Sequence, residues 1–230
     1  MTGRRRRIIV FDVNETLLDV TALEPLFAQA FGDLRVLREW FATVLLYSEV
    51  VTLAGPYADF TAIGGAALDM IATSRGVALS AGDRTNIVAG MRALPAHPDV
   101  RDGLTRLKEA GFRLVTLTNS APAAMEQQIG HAGLSDCFER TFSVDAVRRF
   151  KPAPEPYRFA ATQLGVGTGS LRMVAAHAWD VLGAMQAGCA AAFVARPGKA
   201  VYPLGPAPDI IAPDLRAIAE QIVATDDPHE

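Results

Sequence analysis

Four places in the chain set reactive side chains just after a short apolar run. Asp12 follows Ile8 to Phe11, and Thr118, Asn119 and Ser120 follow Phe112 to Leu117. Lys151, in Phe150-Lys151-Pro152, follows a weaker run at Thr141 to Val144 by a short loop, and His177, Ala178, Trp179 and Asp180 follow Leu171 to Ala175. If these runs are parallel strands, their carboxyl ends share one edge, where an open sheet collects its reactive groups. A carboxylate there can act as a nucleophile. Hydroxyl and amide, amine, and then an imidazole and a second carboxylate would converge with it on that edge. Each residue alone has a plainer reading: Asp12 and Asp180 suit turns or helix caps, and Thr118 to Ser120 would cap a helix beginning at Ala121. Four such groups in register point instead to a site.

The elements that must position them follow from the apolar pattern. Ile8 to Phe11 is apolar throughout, the mark of a strand buried on both faces. Phe112 to Leu117 follows Gly111, which suits a helix C-cap, and Ala190 to Val194 makes a fifth strand. Helix-like segments fall between the strands at Val100 to Ala110, Ala121 to Ala132, Pro154 to Leu164, Val181 to Ala187 and Pro213 to Ala224. The alternation predicts a doubly wound α/β fold with a parallel sheet. From Thr21 to Leu94 the rhythm breaks: there is no convincing strand, only helix-like stretches punctuated by Gly32, Gly55-Pro56 and Gly76. A crossover needs one helix, so residues 21–94 are expected to form an inserted helical cap on a core of residues 1–20 and 95–230. The chain would leave after Asp19 and return near Pro95 to Pro98. Pro197 to Pro208 reads as a surface loop.

Composition narrows the function. With 22 Lys+Arg against 25 Asp+Glu the net charge is −3, which argues against a nucleic-acid partner, because phosphate neutralisation needs a clustered basic surface. The one basic run, Arg4 to Arg7, reads as a solvated start to the first strand. No apolar stretch is long enough to cross a bilayer, and the segment after the arginines is interrupted too soon for a secretion signal. Cys137 and Cys189 cannot make a disulfide framework or a complete zinc site, and both read as buried thiols of a reducing, cytoplasmic compartment. His97, His131 and His229 lie at a linker, a helix end and the chain end, and are poor catalytic candidates. Trp40, Phe41, Tyr47, Tyr57 and Phe60 have helical spacing and read mainly as cap core.

Phe11-Asp12-Val13-Asn14-Glu15-Thr16, Leu117-Thr118-Asn119, Phe150-Lys151-Pro152, and Ala178-Trp179-Asp180 with Gly183-Ala184 occur in the order that characterises the haloacid dehalogenase superfamily. The chain resembles its L-2-haloacid dehalogenase (type II) group in particular, with further matches at Ser143 to Ala146 and Gly55 to Phe60. The resemblance implies hydrolysis of short 2-haloacids to 2-hydroxy acids without metal or other cofactor, and a possible homodimer. Asp12 would attack the halogen-bearing carbon, and Lys151 would keep it ionised. Thr16 and Tyr157 would supply positioning hydroxyls, and Asp180, aided by Lys151, would activate the water that opens the ester. Thr118 and Asn119 match groups that receive the substrate carboxylate or halide, Trp179 would wall the pocket, and Asn14 and His177 join the substrate-binding set.

Departures from that pattern keep other readings open. The group usually has Tyr-Gly in place of Asn14-Glu15, and Ser-Ser-Asn in place of Ala175-Ala176-His177. An ungapped alignment puts Val51 where a cap arginine is expected. His177 could take over halide binding, or could merely cap the following helix. Phosphatases of the superfamily resemble Asp-x-Asp at the first motif, and Asn14 cannot serve as the general acid. A phosphate-ester or other small-acid hydrolase, and a degenerate binding protein, stay as alternatives.

Overall fold

The computed structural model describes residues 6–226; Arg4, Arg5 and His229 lie outside them. Among the described residues six strands form one sheet: β1 (Ile8–Phe11), β2 (Leu114–Thr118), β3 (Arg140–Ser143), β4 (Leu171–Ala175), β5 (Ala190–Val194) and β6 (Ile210–Ala212). All pairs are parallel, in the order β3-β2-β1-β4-β5-β6. β1 is central, and the order reverses beside it, which opens a crevice at its carboxyl end. Side chains alternate across the sheet. Ile9, Phe11 and Leu114 join one apolar core, and Ile8, Val10, Val115 and Leu117 join the other.

Four helices separate β1 from β2: α1 (Glu24–Phe31), α2 (Val36–Ala54), α3 (Phe60–Arg75) and α4 (Ala81–Gly90). Asp59 caps α3 by accepting from Ala62 N at 2.9 Å, and Ser80 caps α4 by accepting from Asp83 N at 3.0 Å. This helical block leaves and rejoins the sheet at one point. Asp19 N donates to Pro95 O at 2.8 Å, His97 N donates to Leu17 O at 2.9 Å, and Leu18 bridges Ala96. A second contact lies across the crevice, where Phe150 N donates to Thr52 Oγ1 at 3.0 Å and Tyr57 stacks on Phe150 at 5.2 Å.

The remaining helices are α5 (Val100–Glu109), α6 (Pro122–His131), α7 (Pro154–Gln163), α8 (Ala178–Gln186) and α9 (Leu215–Asp226). Three expectations need correcting. The second strand runs two residues later at its start than the apolar run. α8 begins at Ala178 rather than Val181, so Trp179 and Asp180 lie in its first turn. The sixth strand was not foreseen, because three residues at a sheet edge carry no periodicity that a loop lacks. Arg7, expected to be a solvated start to the first strand, is instead engaged: its guanidinium donates to Asp226 and to Gly169 O. Arg172 on β4 is fully buried, and it donates to Asp226 Oδ2 at 2.6 Å and Asp209 Oδ1 at 2.5 Å.

Candidate active site

β1 ends at Phe11, and the next residue is held in line by the sheet: Asp12 N donates to Val174 O at 3.0 Å. The Asp12 carboxylate is therefore fixed at the crevice floor, nearly buried. Each oxygen has its own partners. Lys151 Nζ donates to Oδ1 at 2.9 Å, while Thr16 Oγ1 donates to Oδ2 at 2.6 Å and His177 Nδ1 lies 3.1 Å from Oδ2. Thr16 is itself pinned, accepting from Ala176 N at 2.9 Å.

Lys151 is fully buried and spends all three protons, on Asp12, on Asp180 Oδ2 at 2.6 Å and on Leu117 O at 2.9 Å. Asp180 Oδ1 accepts from the Tyr157 hydroxyl at 2.6 Å. The lysine loop is seated against α8 by Gly183, where an added Cβ would fall 2.5 Å from Pro152 Cβ. Burial opposes ionisation of Asp12, yet Lys151, then His177 and Thr16, hold it well below the usual carboxylate range. Burial likewise opposes a charged Lys151, but the carboxylates of Asp12 and Asp180 prevail and raise it. For Asp180 the balance falls the other way, because burial and the nearby Asp12 charge outweigh the pull of Lys151 and push it up.

His177 stands at the N-cap position of α8, but its side chain makes no capping bond. Its Nε2 instead meets Glu15 Oε2 at 2.7 Å, and Lys199 Nζ donates to the same oxygen at 2.6 Å. Both ring nitrogens therefore face carboxylates, which can only accept, so both nitrogens donate and the ring is an imidazolium. Burial disfavours that charge, but the hydrogen bonds to Asp12 and Glu15 outweigh it and raise His177. Glu15 is lowered, its burial overcome by His177 and Lys199. The backbone at Glu15 has φ 59°, a left-handed conformation that costs a non-glycine residue about 1 kcal/mol. Trp179 stacks on His177 at 4.9 Å, and Phe41 approaches it from α2 at 6.4 Å.

The expected site residues thus divide. Asp12, Thr16, Lys151, Tyr157, His177, Trp179 and Asp180 form one connected cluster. Thr118 and Asn119 turn to the neighbouring loops, and Asn14 to Ser120 and helix α6. Thr118 Oγ1 accepts from Ser120 N at 3.1 Å, and Asn119 Oδ1 accepts from Lys151 N at 3.1 Å. Asn14 donates to Ser120 Oγ at 3.2 Å and accepts from Gln128 Nε2 at 2.9 Å. The readings of Thr118 to Ser120 and of His177 as helix caps are set aside: the N-cap of α6 is Ala121, with no side-chain bond. The cap side chain that reaches the site is Phe41, whereas Val51 lies in the last turn of α2 against Gly55. Glu15 and Lys199 were not foreseen as site residues. Glu15 showed only as a departure where glycine is usual, and Lys199 lay unmarked in a long loop.

Known proteins resemble the chain in sequence and in fold. A sequence model of haloacid dehalogenase-like hydrolases matches residues 6–188. The chain is 31% identical to an (S)-2-haloacid dehalogenase of Pseudomonas sp. (strain YL), over 92% of either chain. It is 29% identical to haloacetate dehalogenase H-2 of Moraxella sp. (strain B), over 93% of this chain and 96% of that one. Among solved structures, the L-2-haloacid dehalogenase from Xanthobacter autotrophicus with chloropropionic acid covalently bound superposes with a TM-score of 0.89 at 26% identity, covering 96% of this chain and 99% of that one. The family model spans most of the chain and the relatives align along nearly all of it, so the chain belongs to the haloacid dehalogenase-like hydrolase family.

Proposed function

We propose that the protein is a hydrolytic dehalogenase that converts short 2-haloalkanoic acids to 2-hydroxy acids through an ester on Asp12. The observation that carries this reading is the Asp12 carboxylate itself, fixed at the sheet edge and ionised by Lys151, with the amide Asn14 and no carboxylic acid at the second position of its motif. Halide leaves as a stable anion and needs no such acid. Thr16 and Lys151 orient the nucleophile, and Asp180 with Tyr157 holds Lys151 in place. Trp179, Phe41 and His177 wall the space above Asp12, and the helical block of residues 21–94 acts as its cap. Thr118, Asn119 and Asn14 shape the floor through the loops they brace.

The Lys151 ammonium occupies the gap between Asp12 and Asp180 where a magnesium ion would need two free carboxylates. Asn14, locked between Ser120 and Gln128, offers no acid for a phosphate leaving group. Halide release from chloroacetate, L-2-chloropropionate and fluoroacetate in EDTA tests the reading. Release unaffected by EDTA supports it. Silence on all three, with turnover of phosphate esters in magnesium, overturns it in favour of a phosphatase.

Among the described residues, no helix is long and apolar enough to cross a membrane. Cys137 and Cys189 are free and buried, which suits the reducing cytoplasm. Leu46, Val50 and Leu53 expose an apolar stripe along α2 suited to a homodimer contact. A monomeric mass by light scattering would refute it.

A further inference from the structure

A nucleophilic aspartate completes only half of a hydrolysis, since the ester must then be opened by water, and water needs a base. Asp180 was the expected base, but both of its oxygens are occupied, by Tyr157 and Lys151, and the ammonium stands between it and Asp12. At the other Asp12 oxygen stands His177, 3.1 Å away, backed by Glu15 at 2.7 Å, which is in turn paired with Lys199 at 2.6 Å. Nucleophile, imidazole and orienting carboxylate within hydrogen-bond reach are the general signature of a base set to serve an acyl centre.

We propose, on the dehalogenase reading, that His177 is the base that opens the Asp12 ester and that Glu15, fixed by Lys199, positions it. In the resting enzyme Asp12 is an anion and His177 an imidazolium. An Asp12 oxygen bonds to C2 of the haloacid, and the carbon–halogen pair leaves with the halide. The ester is neutral, so His177 loses one of the two carboxylates that held its protons, and its Nδ1 proton passes to solvent. Glu15, Lys199, Phe41, Arg38 and Glu24 line a groove at the surface, which gives that proton a way out.

Water then adds to Asp12 Cγ while one of its protons goes to Nδ1. The tetrahedral carbon expels the alkoxide, which takes the remaining proton of the added hydroxyl. Asp12 is again a carboxylate and His177 again an imidazolium. The sum is haloacid and water to hydroxy acid, halide and one proton. The charged groups that face His177 are Asp12 and Glu15, with Lys151 and Lys199 one link beyond; Phe41 and Trp179 bring only rings.

This arrangement gives each residue a different signature. With L-2-chloropropionate, His177→Gln releases about one halide per site and then stalls, at least about 100-fold below wild type, and intact mass shows a carboxyethyl ester on Asp12. Neutral His177 is needed in the second step, so kcat rises with pH through its titration. Glu15→Gln removes a charge that favours the imidazolium, so that rise moves to lower pH, by about one unit, with KM little changed. Lys199→Met leaves Glu15 without its cation, so the rise moves to higher pH. Opposite shifts from substitutions at these two half-buried positions do not follow from a merely structural role, and they test the proposal even if His177→Gln fails to fold.

Continued turnover by His177→Gln at the wild-type rate, a folded His177→Gln that releases no halide at all, or an unmoved pH profile in Glu15→Gln would each overturn it. A wild type that releases no halide from any 2-haloacid ends the dehalogenase reading and the relay with it. Release by wild type with any of the preceding three results ends the relay alone.

Discussion

Replacing Lys151 by Met removes a positive charge from between two buried carboxylates while keeping most of the side-chain volume. Asp12 retains Thr16 and His177, but Asp180 is left with only the Tyr157 hydroxyl. Breaking one side of a fully buried pair costs about 3–5 kcal/mol, and that full penalty is expected at pH 8. At lower pH it shrinks, because Asp180, already pushed up by burial from its ordinary 3.8, binds a proton in the folded variant and not in the unfolded chain. A group raised in the folded state contributes stability at low pH that is lost as pH rises, here at up to about 1.4 kcal/mol per pH unit. In wild type the Asp12 contribution has the opposite sense: it is complete above the ordinary carboxylate range and lost only in acid.

The raised His177 slopes stability in the same sense in both proteins, and loss of the nearby Lys151 charge only steepens that slope in the variant. The stability gap between wild type and Lys151→Met should therefore widen from pH 5 to pH 8. Urea unfolding followed by tryptophan fluorescence at pH 5, 6.5 and 8 measures it. A gap below about 1 kcal/mol at pH 8 would refute the burial argument, and a gap independent of pH would refute the assignment to Asp180. The double variant Lys151→Met/Asp180→Asn should recover most of the loss, since the unpaired charge is then gone. Both variants should be inactive in halide release.

Three further perturbations probe other parts of the structure. Thr16→Val removes the bond to Asp12 and orphans the buried Ala176 N–H, so it should cost about 1–3 kcal/mol in urea unfolding and lower kcat with little change in KM. Gly183→Ala places a methyl 2.5 Å from Pro152 Cβ and 2.7 Å from its carbonyl, so α8 and the Lys151 loop must part. An overpacking cost of about 1–3 kcal/mol is expected in urea unfolding, with a loss of about 10²-fold in kcat/KM from the misplaced lysine. Arg172→Leu leaves buried Asp226 with only Arg7 and should lower the melting temperature by about 10 °C in calorimetry, without altering the pH profile of halide release.

Much of this site could be read from the chain because a parallel sheet turns sequence order into a spatial edge. Asp12, Lys151 and Asp180 each follow a recognisable apolar run, and knowing where the run stops is enough to place the side chain. The strand ends were misjudged by one or two residues, and the short edge strand Ile210–Ala212 was missed; neither shift moves the reactive groups off the edge. What sequence order conceals is side-chain direction. Thr118, Asn119 and Asn14 sit at the right edge, yet the oxygens and amides the structure resolves serve the loops. Phe41 belongs to a stripe with helical spacing in which nothing distinguishes the one ring that reaches His177. Lys199 reaches Glu15 across 184 positions of chain, from a loop whose course no local pattern dictates. Glu15 was visible as an oddity, and its left-handed backbone shows why glycine suits that position and what a carboxylate there must overcome.

The single crossing between helical block and sheet has an evolutionary and practical consequence. Asp19 and Pro95 are already joined by a 2.8 Å hydrogen bond, so the two ends of the insertion lie within the reach of a short turn. Neither β1 nor β2 would have to move for the intervening helices to be exchanged for others. The side chains clustered around Asp12 come almost entirely from the sheet side, whereas Phe41, which approaches His177, comes from the exchangeable side. Substrate range and reaction chemistry can therefore diverge separately, the first by replacement of a cassette with paired ends and the second by point changes along one sheet edge.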